Sequence, residues 1–405
     1  MNATYINRIN KIKVLELIRK EGSISRADIA KRSKLSAPTV TRIVESLISS
    51  EKLVVDLGTG SSDGGRPPNL VSFAAKSRFI IGVDIGRTTI NAALADLDAK
   101  IVQECKLPTD AEDGFIKVME RVASTIEELI AKARVDRRSI MGVGLATGGV
   151  IDKKLSLIDF SPDFGWKNVD PASTLSKLTG LRVRIDNVTR VTAIGELHYG
   201  IGKKYKDFIC VNIGYGIGAG IISDGVPYYG SHGAAGEFGH ITVSKDDARV
   251  CDCGNRGCIE AISSGYGIAR TARESLRAGR TSSLAGACGG DPERISAEMV
   301  ARAAVEGDAL SLEVFMEAME CLSVGIVNLI TLFDPQAIIL CGRIAMAGDI
   351  VLEPIRAAIE SRAMNVYKKD ICIELATYRD RATVMGALAL ILEEVMNLNL
   401  AISAG

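Results

Sequence analysis

The stretch RVCDCGNRGCIE at positions 249–260 constrains this chain more than any other. Cys251, Cys253 and Cys258 fall within eight residues, braced by Gly254 and Gly257, and His240 lies eleven residues upstream of Cys251. Three thiolates and one imidazole match the ligand count and type of a closed tetrahedral zinc site. The glycines permit the tight turn that aims Cys251 and Cys253 at one ion. The competing reading is a disulfide, which would leave one of the three cysteines unpaired. Four protein ligands leave no open position, so the expected ion is structural, one Zn2+ per chain. The other six cysteines (Cys105, Cys210, Cys288, Cys321, Cys341, Cys372) are scattered and read as reduced thiols of a cytoplasmic protein.

With 405 residues there is room for two or three domains. An apolar share of 47% and a charged share of 24% are ordinary for a soluble globular protein. No apolar run is read as approaching the ~20 residues of a membrane span, and MNATYINRINKIKV has no signal-peptide pattern. The net charge of zero hides an asymmetry. Residues 1–75 carry 12 Lys and Arg against seven Asp and Glu, so residues 76–405 carry −5. A small basic head on an acidic body suggests that only the head meets a polyanion.

In the head, Ile12, Leu15 and Ile18 recur at helical spacing. Ser25 with Asp28 forms a capping box, and a turn at Lys34–Leu35 leads to Ser36, the N-cap of a third helix. There Val40, Ile43, Val44, Leu47 and Ile48 make an apolar stripe; Pro38, Arg42 and Glu45 face away, with Thr39 and Thr41 on the flanks. This is helix-turn-helix spacing, in which the last helix enters the major groove. Two β-rich runs, 53–57 and 70–73, flank a Gly/Ser/Pro loop and read as a hairpin wing. GGRPP at 64–68 puts Arg66 on a proline-stiffened arm suited to a minor groove; the plainer reading of Arg66 is a solvated loop cation, and of the head a protein-binding helical module. The DNA-facing candidates are Pro38, Thr39, Thr41, Arg42, Glu45 and Arg66.

From Phe79 onward strands alternate with helices: FIIGVDIG, INAALADL, IMGVGLATGG, VRID, FICVNIG, AGII, AIILCG and ICIEL are strands. This predicts an α/β body too large for one lobe. Two glycine loops stand out, VDIGRTT at 83–89 and NIGYGIGAGI at 212–221; amides of the second could cradle an anion. As a dinucleotide fingerprint it is weak, because no acidic residue follows at the required spacing.

Over its whole length the chain resembles the ROK family of repressors, open reading frames and sugar kinases. GEFGH with CDCGNRGCIE carries the resemblance most specifically, supported by DIGRTT, GYGIGAG, SPDFGW and FDPQAIILCG. The resemblance implies a winged helix-turn-helix at 1–75 and, at 76–405, an actin-like body of two lobes with a sugar cleft between them. It implies sugar-reading roles for Glu237, His240 and Glu260, for Asp163 where the family has an Asn, for Asn187, and for the backbone turn at Gly148 and Gly149. The zinc would then pin the segment carrying Glu237, His240 and Glu260 against the cleft. The winged head is similar to that of the family's sugar-responsive repressors, of the N-acetylglucosamine, glucose and xylose type.

Departures from the kinases separate regulator from enzyme. In RIDNVTRVTAIGE, aligning Glu196 puts Val188 where the kinases carry their catalytic Asp. Valine cannot accept a proton; a slip that made Asp186 the base would meet a reversed Asp–Asn order. Arg87, Tyr215 and the CGRIA stretch at 341–345 also disturb the phosphate and adenosine loops. The expectation is a non-enzymatic repressor that binds an inverted-repeat operator as a homodimer or dimer of dimers and answers a sugar. A sugar kinase with a DNA-binding head and a regulator controlled by a protein partner are the alternatives.

Overall fold

Ser25 and Ser36 punctuate the N-terminal helices. The computed structural model describes residues 3–60, 69–151, 157–161, 164–244, 247, 249–368 and 370–396. Helix α1 (Ala3–Glu21) is followed by the short strand β1 (Ser23–Ser25), α2 (Arg26–Ser33) and α3 (Ala37–Ser49). Ser25 Oγ accepts from the Asp28 amide at 3.0 Å and Ser36 Oγ from the Thr39 amide at 3.4 Å. Each satisfies an N–H that has no partner inside its helix. Lys34, with φ 57°, closes the turn between α2 and α3. Val40, Ile43, Val44 and Leu47 bury against Val14, Leu15, Ile18 and Ile29. The wing forms from β2 (Val54–Thr59) and β3 (Asn69–Phe73), paired antiparallel. It has a third strand that sequence reading missed: β1 pairs with β3, giving the order β1-β3-β2. Arg66 lies outside the described residues.

The first lobe is built from β4 (Phe79–Ile85), β5 (Thr89–Asp96), β6 (Ile101–Pro108), α4 (Phe115–Ala133) and β7 (Ile140–Thr147). It continues with the short strands β8 (Val150–Ile151), β9 (Ile158–Ser161) and β10 (Trp166–Val169), then α5 (Pro171–Thr179), β11 (Val183–Asn187) and α6 (Val188–His198). Its five-stranded sheet runs β11-β7-β4-β5-β6, with β11, β7 and β4 parallel. Helix α4 buries Val118, Met119, Val122 and Ile126 on one face of it.

The second lobe contains β12 (Phe208–Ile213), β13 (Ile217–Ser223), β14 (Val226–Pro227), α7 (Ile259–Ser263), α8 (Gly265–Arg277), α9 (Leu284–Ala287) and α10 (Ala297–Val305). It is completed by α11 (Ala309–Phe333), β15 (Ala337–Cys341), α12 (Asp349–Arg362), α13 (Asn365–Lys368) and β16 (Cys372–Leu375); α14 (Ala382–Met396) follows. The sheet order is β14-β13-β12-β15-β16. By length and composition α11 could cross a membrane, contrary to the expectation that no such run exists. Its apolar side chains Phe315, Met319, Leu322, Ile326 and Ile330 instead fill the core of this lobe.

Helices α6 and α14 lie between the two sheets, α6 against β12 and β13, α14 against β4 and β7. They cross at glycines: a Cβ on Gly386 would stand 1.8 Å from the Val191 carbonyl oxygen, and one on Gly195 2.8 Å from the Gly386 nitrogen. Helix α14 also packs against α1. Leu388, Ile391, Leu392, Val395 and Met396 share one apolar cluster with Val14, Leu15, Val44, Leu47 and Val71.

Candidate functional site

A 3-10 turn over Phe238–His240 and the first turn of α7 place the residues around the cysteine loop. One ligand atom from each of His240, Cys251, Cys253 and Cys258 lies within 4.8 Å of every other, so these four side chains could hold one metal ion. His240 Nδ1 is 3.5 Å from Cys251 Sγ, and Cys253 Sγ is 3.8 Å from Cys258 Sγ. Gly254 and Gly257 both take positive φ, 89° and 68°, which makes the turn that glycine was expected to supply. Burial pushes the Cys251 thiol up to about 12. A bound divalent cation reverses that direction by stabilising the thiolate.

The same turn brings two carboxylates to His240. His240 Nε2 lies 3.7 Å from Glu237 Oε2, and His240 Nδ1 lies 3.9 Å from Glu260 Oε1. Glu260 Oε2 accepts from the Ile217 amide at 2.8 Å, while burial raises its carboxyl above the ordinary range. In the first lobe, β7 ends in the turn at Gly148 and Gly149, where Gly149 has φ 114° and no space for a Cβ beside Ser161. Asn187 Nδ2 donates to the Gly149 carbonyl at 2.9 Å, and Asn187 Oδ1 caps α6 through the Thr189 amide at 2.9 Å. Thr189 Oγ1 bridges onward to the Ala219 carbonyl at 3.2 Å, and the Ala219 amide donates to the Gly236 carbonyl at 2.8 Å. A hydrogen-bonded path thus runs from Asn187 to the residue before Glu237. Asp163 lies outside the described residues.

The second glycine loop is not an open anion cradle. The Gly214 amide donates to the Gly216 carbonyl at 3.0 Å and the Ile217 amide is taken by Glu260, so the loop closes on itself as the β12–β13 turn. Asp186 is also committed. Its Oδ1 accepts from Arg190 Nε at 2.8 Å and lies 2.7 Å from Arg190 Nη2, while Arg190 stacks over the Tyr229 ring at 4.6 Å. The four-residue spacing of Asp186 and Arg190 in RIDNVTR is that of a helical ion pair, although Asp186 lies on β11 and α6 begins only at Val188. Val188, the residue aligned with a catalytic Asp, opens α6.

On the head, Pro38, Arg42 and Glu45 are exposed on the face of α3 opposite its buried stripe, and Thr39 and Thr41 are half-buried beside them. The Thr39 and Ser36 hydroxyls are 2.8 Å apart, which ties Thr39 to the cap. Several head cations are engaged internally: Lys11 pairs with Glu51, Lys13 donates to the Ser33 carbonyl at 2.8 Å, and Arg32 reaches Glu21 at 2.8 Å.

Comparison with known proteins matches residues 80–394 to the ROK family and residues 8–53 to a winged helix-turn-helix DNA-binding model. A xylose repressor from Caldicellulosiruptor bescii is 30% identical over 400 residues, 98% of each chain. A solved ROK family transcriptional regulator, described as a homolog of the E. coli MLC protein, superposes with a TM-score of 0.82 at 28% identity, covering 98% of this chain and 100% of that one. A ROK family glucokinase from Streptomyces griseus, solved with glucose and AMPPNP, gives a TM-score of 0.66 at 30% identity over 77% of this chain and 98% of its own.

Proposed function

The chain belongs to the ROK family, and from that premise we propose that it is a DNA-binding transcriptional repressor of sugar-utilisation genes. One observation carries this reading. The likeness to named repressors runs through the winged head and the body together, whereas the glucokinase covers only 77% of this chain. Residues 1–75 would read DNA through Pro38, Thr39, Thr41, Arg42, Glu45 and Arg66. Residues 76–405 would bind a sugar through Gly148, Gly149, Asp163, Asn187, Glu237, His240 and Glu260. Carboxylates suit that task because they accept paired bonds from vicinal hydroxyls. A two-fold dimer, or a dimer of dimers, would match an inverted-repeat operator in the cytoplasm.

The metal is assigned as structural zinc. Tetrahedral Zn–S bonds of about 2.3 Å and Zn–N bonds of about 2.0 Å bring ligand atoms to about 3.8 Å (S to S) and about 3.5 Å (S to N). The Cys253–Cys258 and His240–Cys251 separations are 3.8 and 3.5 Å. Zinc would brace the turn that carries Glu237, His240 and Glu260.

Kinase chemistry is disfavoured by the pairing of Asp186 with Arg190 and by valine at position 188. The test is fluorescence anisotropy on an inverted-repeat operator, with D-xylose and D-glucose added separately. Binding that one sugar shifts by about tenfold or more supports the reading, and absence of any DNA binding defeats it.

A further inference from the structure

Arg190 sits where three pieces of the chain meet. It is 3% exposed and belongs to the first turn of α6, which packs against β12 and β13. Its Nε donates to Asp186 Oδ1 of β11 at 2.8 Å, and its Nη1 donates to the Gly233 carbonyl at 3.2 Å. Its flat face covers the Tyr229 ring at 4.6 Å. One guanidinium thus fastens a strand of the first lobe and a loop of the second to the helix between them.

The loop it holds, 228–236, leads straight into Glu237. Its ends are set on β13: the Tyr228 amide donates to the Ile221 carbonyl at 2.9 Å, and the Gly236 carbonyl accepts from the Ala219 amide at 2.8 Å. Between them stand Gly230 and Gly233, both at positive φ, 70° and 75°. Glycine brings no side chain to anchor such a bend and has the most freedom to lose. Inside the loop the Ala235 amide donates to the Tyr229 carbonyl at 3.2 Å. Arg190 supplies the grip from outside, on the Gly233 carbonyl and the Tyr229 ring.

Two links therefore run from neighbouring residues of β11 to this one loop. Successive side chains of a strand point to opposite faces, so Asp186 and Asn187 depart on different sides. Asn187 reaches Gly236 through Thr189 and Ala219; Asp186 reaches Gly233 through Arg190. The residues read above as sugar-binding divide in the same way, with Gly149 and Asn187 in the first lobe and Glu237, His240 and Glu260 in the second. A buried ion pair adds little stability beyond that of apolar side chains of similar volume, but a forked guanidinium fixes direction. What it fixes here is the separation of the two halves of the site.

We propose that Arg190 is a positioning residue for the effector: it holds the Glu237 turn at its distance from Asn187, so that one sugar can be bonded from both lobes. The proposal rests on the sugar-binding reading of those residues. Lysine cannot replace Arg190, because an ammonium has neither the fork that spans Asp186 and the Gly233 carbonyl nor the flat face that covers the ring.

Isothermal titration of the full chain, with D-xylose and D-glucose as separate probes, tests this. For a sugar that wild type binds, Arg190→Lys and Tyr229→Leu should each weaken binding by about tenfold, the worth of one hydrogen bond to a charged group. Tyr229→Leu leaves the buried ion pair whole, which separates the effect from a folding defect at Arg190. Tyr229→Phe keeps the ring under the guanidinium and should bind within about twofold of wild type. The double variant Arg190→Lys/Tyr229→Leu should lose little more than Arg190→Lys alone, because both act through one contact. A merely structural role would lower Tm without moving the dissociation constant of the folded chains. Wild-type affinity in both Arg190→Lys and Tyr229→Leu, or fully additive losses in the double variant, overturns the proposal while leaving the sugar reading intact. Wild type that binds neither sugar overturns the sugar reading itself, and the proposal with it.

Discussion

Arg343 reaches out of the second lobe to Thr89 of the first, its Nη2 donating to the threonine hydroxyl at 3.3 Å, while its Nη1 stays 3.8 Å from Glu298. This clasp stands on CGRIA, the stretch where the family's kinases are expected to keep glycines beside adenosine. Together with Val188 it leads to the expectation that sugar phosphorylation is negligible. Loss of a general base typically costs ~10²–10⁴-fold. Incubation with ATP and a sugar panel should yield no sugar phosphate at the roughly 1–100 per second of ordinary kinases; turnover in that range refutes the regulator-only reading.

Beneath the clasp, burial pushes the Asp84 carboxyl up to about 6 from its ordinary 3.8, with the Asn91 amide and Arg343 pulling the other way. A carboxyl raised on folding binds its proton more tightly in the native state. Its unfavourable contribution is therefore absent below about pH 4 and complete above about pH 6. Asp84→Asn should raise Tm at pH 7 and leave it nearly unchanged at pH 4. A Tm difference that is flat across this range would contradict the assignment.

Cys253→Ser should abolish metal binding, which elemental analysis of wild type should place at about one zinc per chain. Sugar affinity should fall with it, because the turn that carries Glu237, His240 and Glu260 loses its brace. DNA affinity without sugar should change little, because α14 and the head are untouched. Wild-type protein purified without chelators and found free of metal would end the zinc assignment.

Arg42, exposed mid-face on α3, should touch a base edge. Arg42→Ala is expected to cost about 1–3 kcal/mol per half-site and to relax sequence preference there. Arg66→Ala should matter most where the flanking DNA is A·T-rich with a narrow minor groove. Titrations on A·T-rich and G·C-rich flanked operators decide both; unchanged affinity in both variants would mean that the head docks differently.

At the crossing of α6 and α14, Gly386→Ala sets a Cβ 1.8 Å from the Val191 carbonyl oxygen. The helices must separate, at a cost of about 1–3 kcal/mol. Denaturant unfolding should show a lowered midpoint with a similar slope. An unaltered midpoint would mean that the crossing is looser than its geometry.

What the sequence disclosed was local or chemically specific. Ser25 and Ser36 cap helices within three residues of themselves, and the parallel strands betray themselves as continuous apolar runs because both faces are covered. The cysteine cluster was legible because few residue types bind zinc. Concealed features depended on distant partners. Three-residue β1 exists only through its pairing with β3, so it carries no strong pattern of its own. Arg190 looked like any helical cation until folding brought the distant Tyr229 ring under it. The amides of the second glycine loop looked available because nothing in NIGYGIGAGI foretells Glu260 arriving at Ile217.

The sharing of one apolar cluster by α1, α3 and α14 has a consequence for biosynthesis. The ribosome delivers the DNA-reading helices early, but the helix that seals their core comes from the far end of the described chain. Until α14 emerges, α1 lacks one of the helices it packs against, so a polypeptide that stops short of α14 leaves that side of the head uncovered. The order of synthesis thus places the covering of the head after the synthesis of both lobes.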